Sequence, residues 1–139
     1  MAYVQRVPVR FPDVDFAQIV YYPRLFDYVH QVYEDFFGAE VGVPYPVMLG
    51  QRRVAYPAVH AEADFKAPLR YGDVARVVME ATKVSTKSVT SRYRLYRDGS
   101  EVLCAELRVV TASIDMDRFL PIELPADVRA AFLRHQARD

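Results

Sequence analysis

At 139 residues the chain is long enough for one hydrophobic core and too short for two. Its 18 basic and 18 acidic side chains cancel, which removes the broad positive field that nucleic-acid binders use to collect phosphates. With 52% hydrophobic and 26% charged residues it is neither a disordered nor a fibrous chain. A single cysteine, Cys104, excludes an internal disulfide and cysteine-paired metal sites. Residues 1–11 lack the apolar core of a signal peptide, and no run is long enough to span a bilayer, so a cytoplasmic protein with no integral membrane association is expected.

Residues 3–11 alternate Val7, Val9 and Phe11 with Arg6, Pro8 and Arg10, predicting a half-buried strand that Pro8 places at an edge or an end. Over 23–37 the period changes. Leu25, Phe26, Val29, Val32, Tyr33 and Phe36 trace one apolar stripe of a long helix, with Pro23 in its first turn and Gly38 as its stop. Residues 42–51, carrying Pro44, Pro46 and Gly50, read as a loop. In 59–66, Val59, Ala61, Ala63 and Phe65 alternate with His60, Glu62, Asp64 and Lys66 as in a strand. Further strands follow at 74–84 and 89–96, and Asp98 with Gly99 turns the chain into 101–113. Residues 120–124 add an edge strand and 126–136 a short closing helix. One apolar helix followed by four or five antiparallel strands is an α+β arrangement, here one domain over 1–139. The sheet must cover the helix, and its free edges are most economically closed by a second copy.

The densest chemistry lies at 11–23, where Asp13-Val14-Asp15 sits in the loop before the long helix. A helix N-terminus presents unpaired N–H groups and partial positive charge, both suited to an oxyanion forming beside the carboxylates. Loop aspartates serve equally as caps and turn formers, so one can hold the loop while the other faces a cleft. The same Asp-x-Asp spacing occurs in phosphatases that form an aspartyl phosphate, but those need a parallel sheet and further acidic magnesium ligands that this pattern does not offer.

Segment 11–22 resembles the signature of the 4-hydroxybenzoyl-CoA thioesterase family: aspartate, any residue, aspartate, then an Ile-Val-Tyr-Tyr lead into the helix. Ala63-Asp64-Phe65-Lys66-Ala67-Pro68, followed by Tyr71-Gly72-Asp73, resembles that family's downstream strand and turn at similar spacing, so the similarity runs over nearly the whole chain. The resemblance implies the hotdog fold, an antiparallel sheet wrapped around one long central helix, and hydrolysis of a short-chain or aromatic acyl-CoA thioester. It implies Asp15 as the catalytic carboxylate, either nucleophile or general base, with the Tyr22 backbone N–H polarising the thioester carbonyl and Asp13 structural. It also implies a homodimer with a site at each interface, two dimers joining into a homotetramer, and no cofactor, because coenzyme A is part of the substrate. Lys83, Lys87, Arg92 and Arg94 would meet the CoA phosphates, with Ser88 as a hydrogen-bond donor; Arg92 and Arg94 read equally as a solvated strand face. Gln18, Tyr21, Val59 and His60 complete the expected substrate-binding set.

Other aromatics, among them Tyr22, Phe26, Tyr28 and Tyr45, are candidates for an acyl pocket or for simple packing. His30 is expected at the edge of the helix stripe, Cys104 in the core, and no metal site is expected. One departure stands out. The family usually carries glycine three residues after the catalytic aspartate, where this chain has Gln18; a requirement for positive φ there would cost about 1 kcal/mol. A member that has lost turnover and only binds acyl-CoA or an acyl-carrier protein is therefore the alternative reading.

Overall fold

The computed structural model describes residues 1–138. In chain order, β1 (Tyr3–Pro8) leads to α1 (Pro23–Phe36), α2 (Tyr45–Gly50), β2 (Val54–Ala55), β3 (Ala58–Phe65), β4 (Val74–Val84), β5 (Ser88–Arg97), β6 (Leu103–Ala112), β7 (Ile114–Asp115), β8 (Leu120–Pro121) and α3 (Ala126–Arg134). Five strands form one antiparallel sheet in the order β1-β4-β5-β6-β3, and β2, β7 and β8 form a small second sheet. The α+β arrangement of one long helix against an antiparallel sheet is thus the observed one. No described helix is long and apolar enough to cross a membrane.

The inner face of the sheet follows from the period-two pattern. Val77, Met79, Tyr93, Leu95, Ala105 and Leu107 are buried, and Tyr93 sits between Met79 and Leu107 in register. Against them α1 lays its stripe of Leu25, Tyr28, Val29, Val32, Tyr33 and Phe36. α3 closes the end with Val128, Ala131 and Phe132, the last stacked on Phe36 with ring centroids 4.8 Å apart. Truncating such a ring to alanine costs about 3–5 kcal/mol.

Five local expectations change. Gly38 does not stop the helix. The chain adds a π-helical turn (Phe37–Val41), in which the Gly42 N–H donates to the Phe37 carbonyl at 2.9 Å, and Gly42 at φ 85° ends it. The wider turn lets the consecutive rings of Phe36 and Phe37 both point inward, each fully buried, and that burial outweighs the glycine signal. Residues 45–50 are α2 rather than loop: Pro46 falls in the first turn, where its missing N–H is harmless, and buried Met48 anchors a helix too short to display a period. β3 pairs with β6 along one edge and is largely exposed, with Val59 63% accessible, because only Ala63 of its inward positions packs against the core. Only Leu120 and Pro121 of 120–124 pair as a strand, with β7 in the small sheet. α3 ends at Arg134, and the following chain crosses to β4, the Ala81 N–H donating to the His135 carbonyl at 3.0 Å.

Candidate active site

After β1 the chain makes a single 3-10 turn over Phe11–Asp13 and then a short hairpin whose arms meet at Val14 and Val20. Asp13 is buried and engaged through one carboxylate oxygen. Its Oδ2 accepts the Tyr28 hydroxyl at 2.6 Å and the Arg10 N–H at 2.9 Å, and its carbonyl accepts the Tyr21 N–H at 2.8 Å. Burial, and next the bond to Asp13, hold the Tyr28 phenol far above its usual range, so it remains a donor.

Asp15 is placed differently. Oδ1 accepts the Ala17 N–H at 2.8 Å, the Asp15 carbonyl accepts the Gln18 N–H at 2.9 Å, and the Asp15 N–H donates to the Ile19 carbonyl at 3.1 Å. These bonds make a tight hairpin turn with a left-handed residue at its close. That residue is Gln18, at φ 68°, so the position does demand the geometry that glycine adopts freely. Among the described residues no donor or cation meets Asp15 Oδ2, and the side chain is exposed.

Seven residues beyond Asp15, Tyr22 is the N-cap of α1. With Pro23 next and the Arg24 and Leu25 N–H groups turned back on the Tyr21 and Tyr22 carbonyls, the Tyr22 N–H takes no acceptor among the described residues. An unpaired N–H at the positive end of a helix suits a developing oxyanion, and Asp15 lies in the turn just before it with one carboxylate oxygen unmet among the described residues. Tyr21 and Tyr22 are exposed and edge-on to one another, and the Tyr22 ring meets Phe65 of β3 at 5.8 Å. Beside them Ile19, Val20, Leu25 and Phe65 line a cavity of about 390 Å³.

A larger cavity of about 600 Å³ lies farther along the same groove between α1 and β3. Its α1 wall is Phe26, Val29, His30 and Tyr33, spaced as one helical face that begins one turn, roughly 6 Å, beyond Tyr22. Tyr45, Tyr56 and Tyr93 bring further rings. Burial pushes the phenols of Tyr33, Tyr45, Tyr56 and Tyr93 above their usual range, so they are neutral hydroxyls; Tyr33 donates to Thr111 at 3.3 Å. Phe26 and Tyr45, expected as candidates, are here; Tyr28 is bound to Asp13 instead. His30 belongs to the cavity wall. The spacing 26, 29, 30 and 33 carried that signal, whereas nothing local marked Tyr56, Tyr93 or Phe119.

The expected CoA-binding residues are not gathered around Asp15 within one chain. The chain leading into the hairpin is tied to the start of β4, the Val9 N–H donating to the Asp73 carbonyl at 2.9 Å, while Lys83, Lys87 and Ser88 stand at the other end, along β4 and its turn. Nine residues of extended chain separate Val74 from Lys83, about 30 Å. Lys83 and Lys87 are exposed, and Ser88 accepts the Ser85 N–H through its carbonyl at 2.8 Å. Arg92 is not on a solvated face: it is 8% exposed, with Nη2 3.1 Å from Glu80 Oε1. Arg94 likewise meets Glu106 at 2.9 Å. Cross-strand charge pairing on the outer face of the sheet has absorbed both. Val59 and His60 project from the exposed start of β3, the end remote from Phe65.

Comparison with known proteins matches residues 9–132 to the thioesterase-like superfamily. A 1,4-dihydroxy-2-naphthoyl-CoA hydrolase of Prochlorococcus marinus is 30% identical over 132 residues, 91% of this chain and 83% of that protein. A protein of the same description from Thermosynechococcus vestitus is 29% identical over 126 residues, 88% and 86% of the two chains. The crystal structure of a 1,4-dihydroxy-2-naphthoyl-CoA thioesterase from Synechocystis superposes with a TM-score of 0.88 at 24% identity over 96% of each chain, which establishes the shared hotdog fold. With a match that leaves out only the two ends, this chain belongs to the thioesterase-like superfamily.

Proposed function

We propose that this thioester hydrolase cleaves aromatic acyl-CoA thioesters, with Asp15 as the carboxylate that attacks the carbonyl or activates water, and the Tyr22 N–H as its oxyanion donor. The observation that carries this is the pairing of an uncommitted Asp15 oxygen with an unpaired N–H at the start of α1. As base, Asp15 takes a proton from water as oxygen bonds to the thioester carbon; as nucleophile, it forms an anhydride that water opens. Either route ends in a free acid and the CoA thiol.

The proposal includes a dimer, and the separation within one chain argues for it. A second copy pairing antiparallel along the free edge of β3 runs its strands in the opposite sense. The partner's β4 to β5 turn then comes to the end of the sheet that holds Asp15. By the same inversion, the start of the partner's β3 comes beside Phe65 and Tyr22. Lys83, Lys87 and Ser88 would thereby reach a CoA bound at the other chain's Asp15, with Val59 and His60 beside its thioester; Arg92 would first have to leave Glu80. Pairing of two such dimers, a cytoplasmic setting, and narrower membership in the 4-hydroxybenzoyl-CoA thioesterase family belong to the same reading.

An aromatic acyl group is favoured over a short aliphatic one by the hydroxyl-bearing rings around the larger cavity and by the relatives described as naphthoyl-CoA hydrolases. Thiol release from naphthoyl-, benzoyl- and hexanoyl-CoA, by the native chain and by Asp15→Asn, tests the reading. Hydrolysis that survives Asp15→Asn overturns the mechanism. The strained Gln18 supports one other reading, a binder without turnover, which tight binding of every thioester with no thiol release would establish.

A further inference from the structure

Phe119 holds a backbone conformation that a phenylalanine adopts only under constraint. Its φ is 55°, in the left-handed region where Cβ crowds the following carbonyl and bulky residues are outliers. The constraint is built into the turn between β7 and β8. The Phe119 N–H donates to the Asp115 carbonyl at 2.7 Å. One Asp115 carboxylate oxygen accepts the Asp117 N–H at 2.9 Å, and the other meets Arg118 Nε at 3.0 Å. The turn is tied to the chain before β2, where Arg53 pairs with Asp117 at 3.0 Å and its carbonyl accepts the Met116 N–H at 2.9 Å. Arg53 itself sits at φ 59°.

This strain does not serve the core. The Phe119 ring is 76% exposed and meets no other ring among the described residues, yet it forms part of the wall of the 600 Å³ cavity. Glycine would make the same turn without strain. What the phenyl adds is an exposed aromatic surface on a cavity whose other walls include Phe26, Tyr45, Tyr56 and Tyr93.

We propose that Phe119 is a specificity-determining residue that selects aromatic acyl groups by packing its ring against the ring of the guest. The guest's identity as an acyl group rests on the thioesterase reading above. A flat guest gains edge-to-face or offset-stacked geometry with Phe119 in addition to burial, whereas an aliphatic chain gains burial alone.

Calorimetric titration of the full chain with two uncleavable ketone analogues tests this: naphthacyl-CoA and oxo-octyl-CoA, each with a methylene between carbonyl and sulfur. Phe119→Gly is expected to weaken naphthacyl-CoA about tenfold and to shift oxo-octyl-CoA by less than about twofold. Its melting temperature should not fall, because the backbone strain is relieved. Phe119→Leu, which keeps apolar area without a ring, should give the same split. Equal losses for both analogues, or no loss for either, overturn the proposal. So does a lower melting temperature or a changed oligomer mass with binding intact, which would make Phe119 a packing residue. These analogues need no turnover, so a native chain that cleaves no acyl-CoA would remove the thioesterase reading and leave the result for Phe119 legible.

Discussion

Two turns in this molecule, 15–18 and 115–119, are built on the same plan. Each opens on an aspartate whose carboxylate accepts an N–H two residues on, from Ala17 at 2.8 Å and from Asp117 at 2.9 Å. Each closes on a side chain larger than glycine in the left-handed region, Gln18 at 68° and Phe119 at 55°. They differ in what the second carboxylate oxygen does. On Asp115 it is held by Arg118, and the Asp117 N–H, followed by Arg118, draws the carboxyl below its usual 3.8. On Asp15 no donor among the described residues takes it. A turn can thus use an aspartate entirely as a fastener or fasten with one oxygen and leave the other for chemistry, and only the neighbours decide which.

The contrast is broken most sharply by exchanging amides for the two acids. Asp15→Asn keeps the turn acceptor but removes the base and nucleophile, so the rate of thiol release should fall about a thousandfold with the melting temperature unchanged. Asp115→Asn should leave that rate within about twofold, and a comparable loss would show that the turns do not divide their duties as described. Next in size is Asp13→Ala. It strands the buried Tyr28 hydroxyl and the Arg10 N–H, and denaturant unfolding should show a loss of about 2–3 kcal/mol. Gln18→Gly and Phe119→Gly should each raise stability by about 1 kcal/mol, through the same relief of positive φ, and a gain at one only would separate the two turns.

The smallest effect is acid sensitivity at Asp115. A carboxyl depressed in the folded chain stabilises fully above its unfolded value near 3.8, and that contribution is lost as pH falls through the folded value. Melting temperatures followed from about pH 5 to about pH 2 should therefore drop less steeply for Asp115→Asn than for the native chain.

The elements that hold these turns were largely legible, because α1 and β4 to β6 each bury one face and burial is what a repeating pattern encodes. The Asp13-Val14-Asp15 motif could be located, but its division of labour could not: Asp13 is structural because Tyr28, fifteen residues away, comes to it across the fold. Where burial fails, the pattern misleads. The alternation of β3 meets the core only at Ala63, and the outward arginines Arg92 and Arg94 are engaged by Glu80 and Glu106 from neighbouring strands, partners visible only once register is known. Tyr56, Tyr93 and Phe119 reach the cavity from three separate segments, so no spacing along the chain could have joined them.

The π turn after α1 has a consequence for how the cavity could change. Tyr45 reaches the cavity from just beyond that turn, with its ring 5.0 Å from Phe37 and 6.0 Å from Tyr33. Its position depends on the extra residue that the wide turn accommodates. Deleting one residue within 38–41 would restore ordinary helical winding and rotate the following chain by about 100°, carrying Tyr45 off the cavity without altering a single lining side chain. The depth of this chamber is set by a count of residues as much as by their identity, which opens insertion and deletion, rather than substitution, as a route to a different guest.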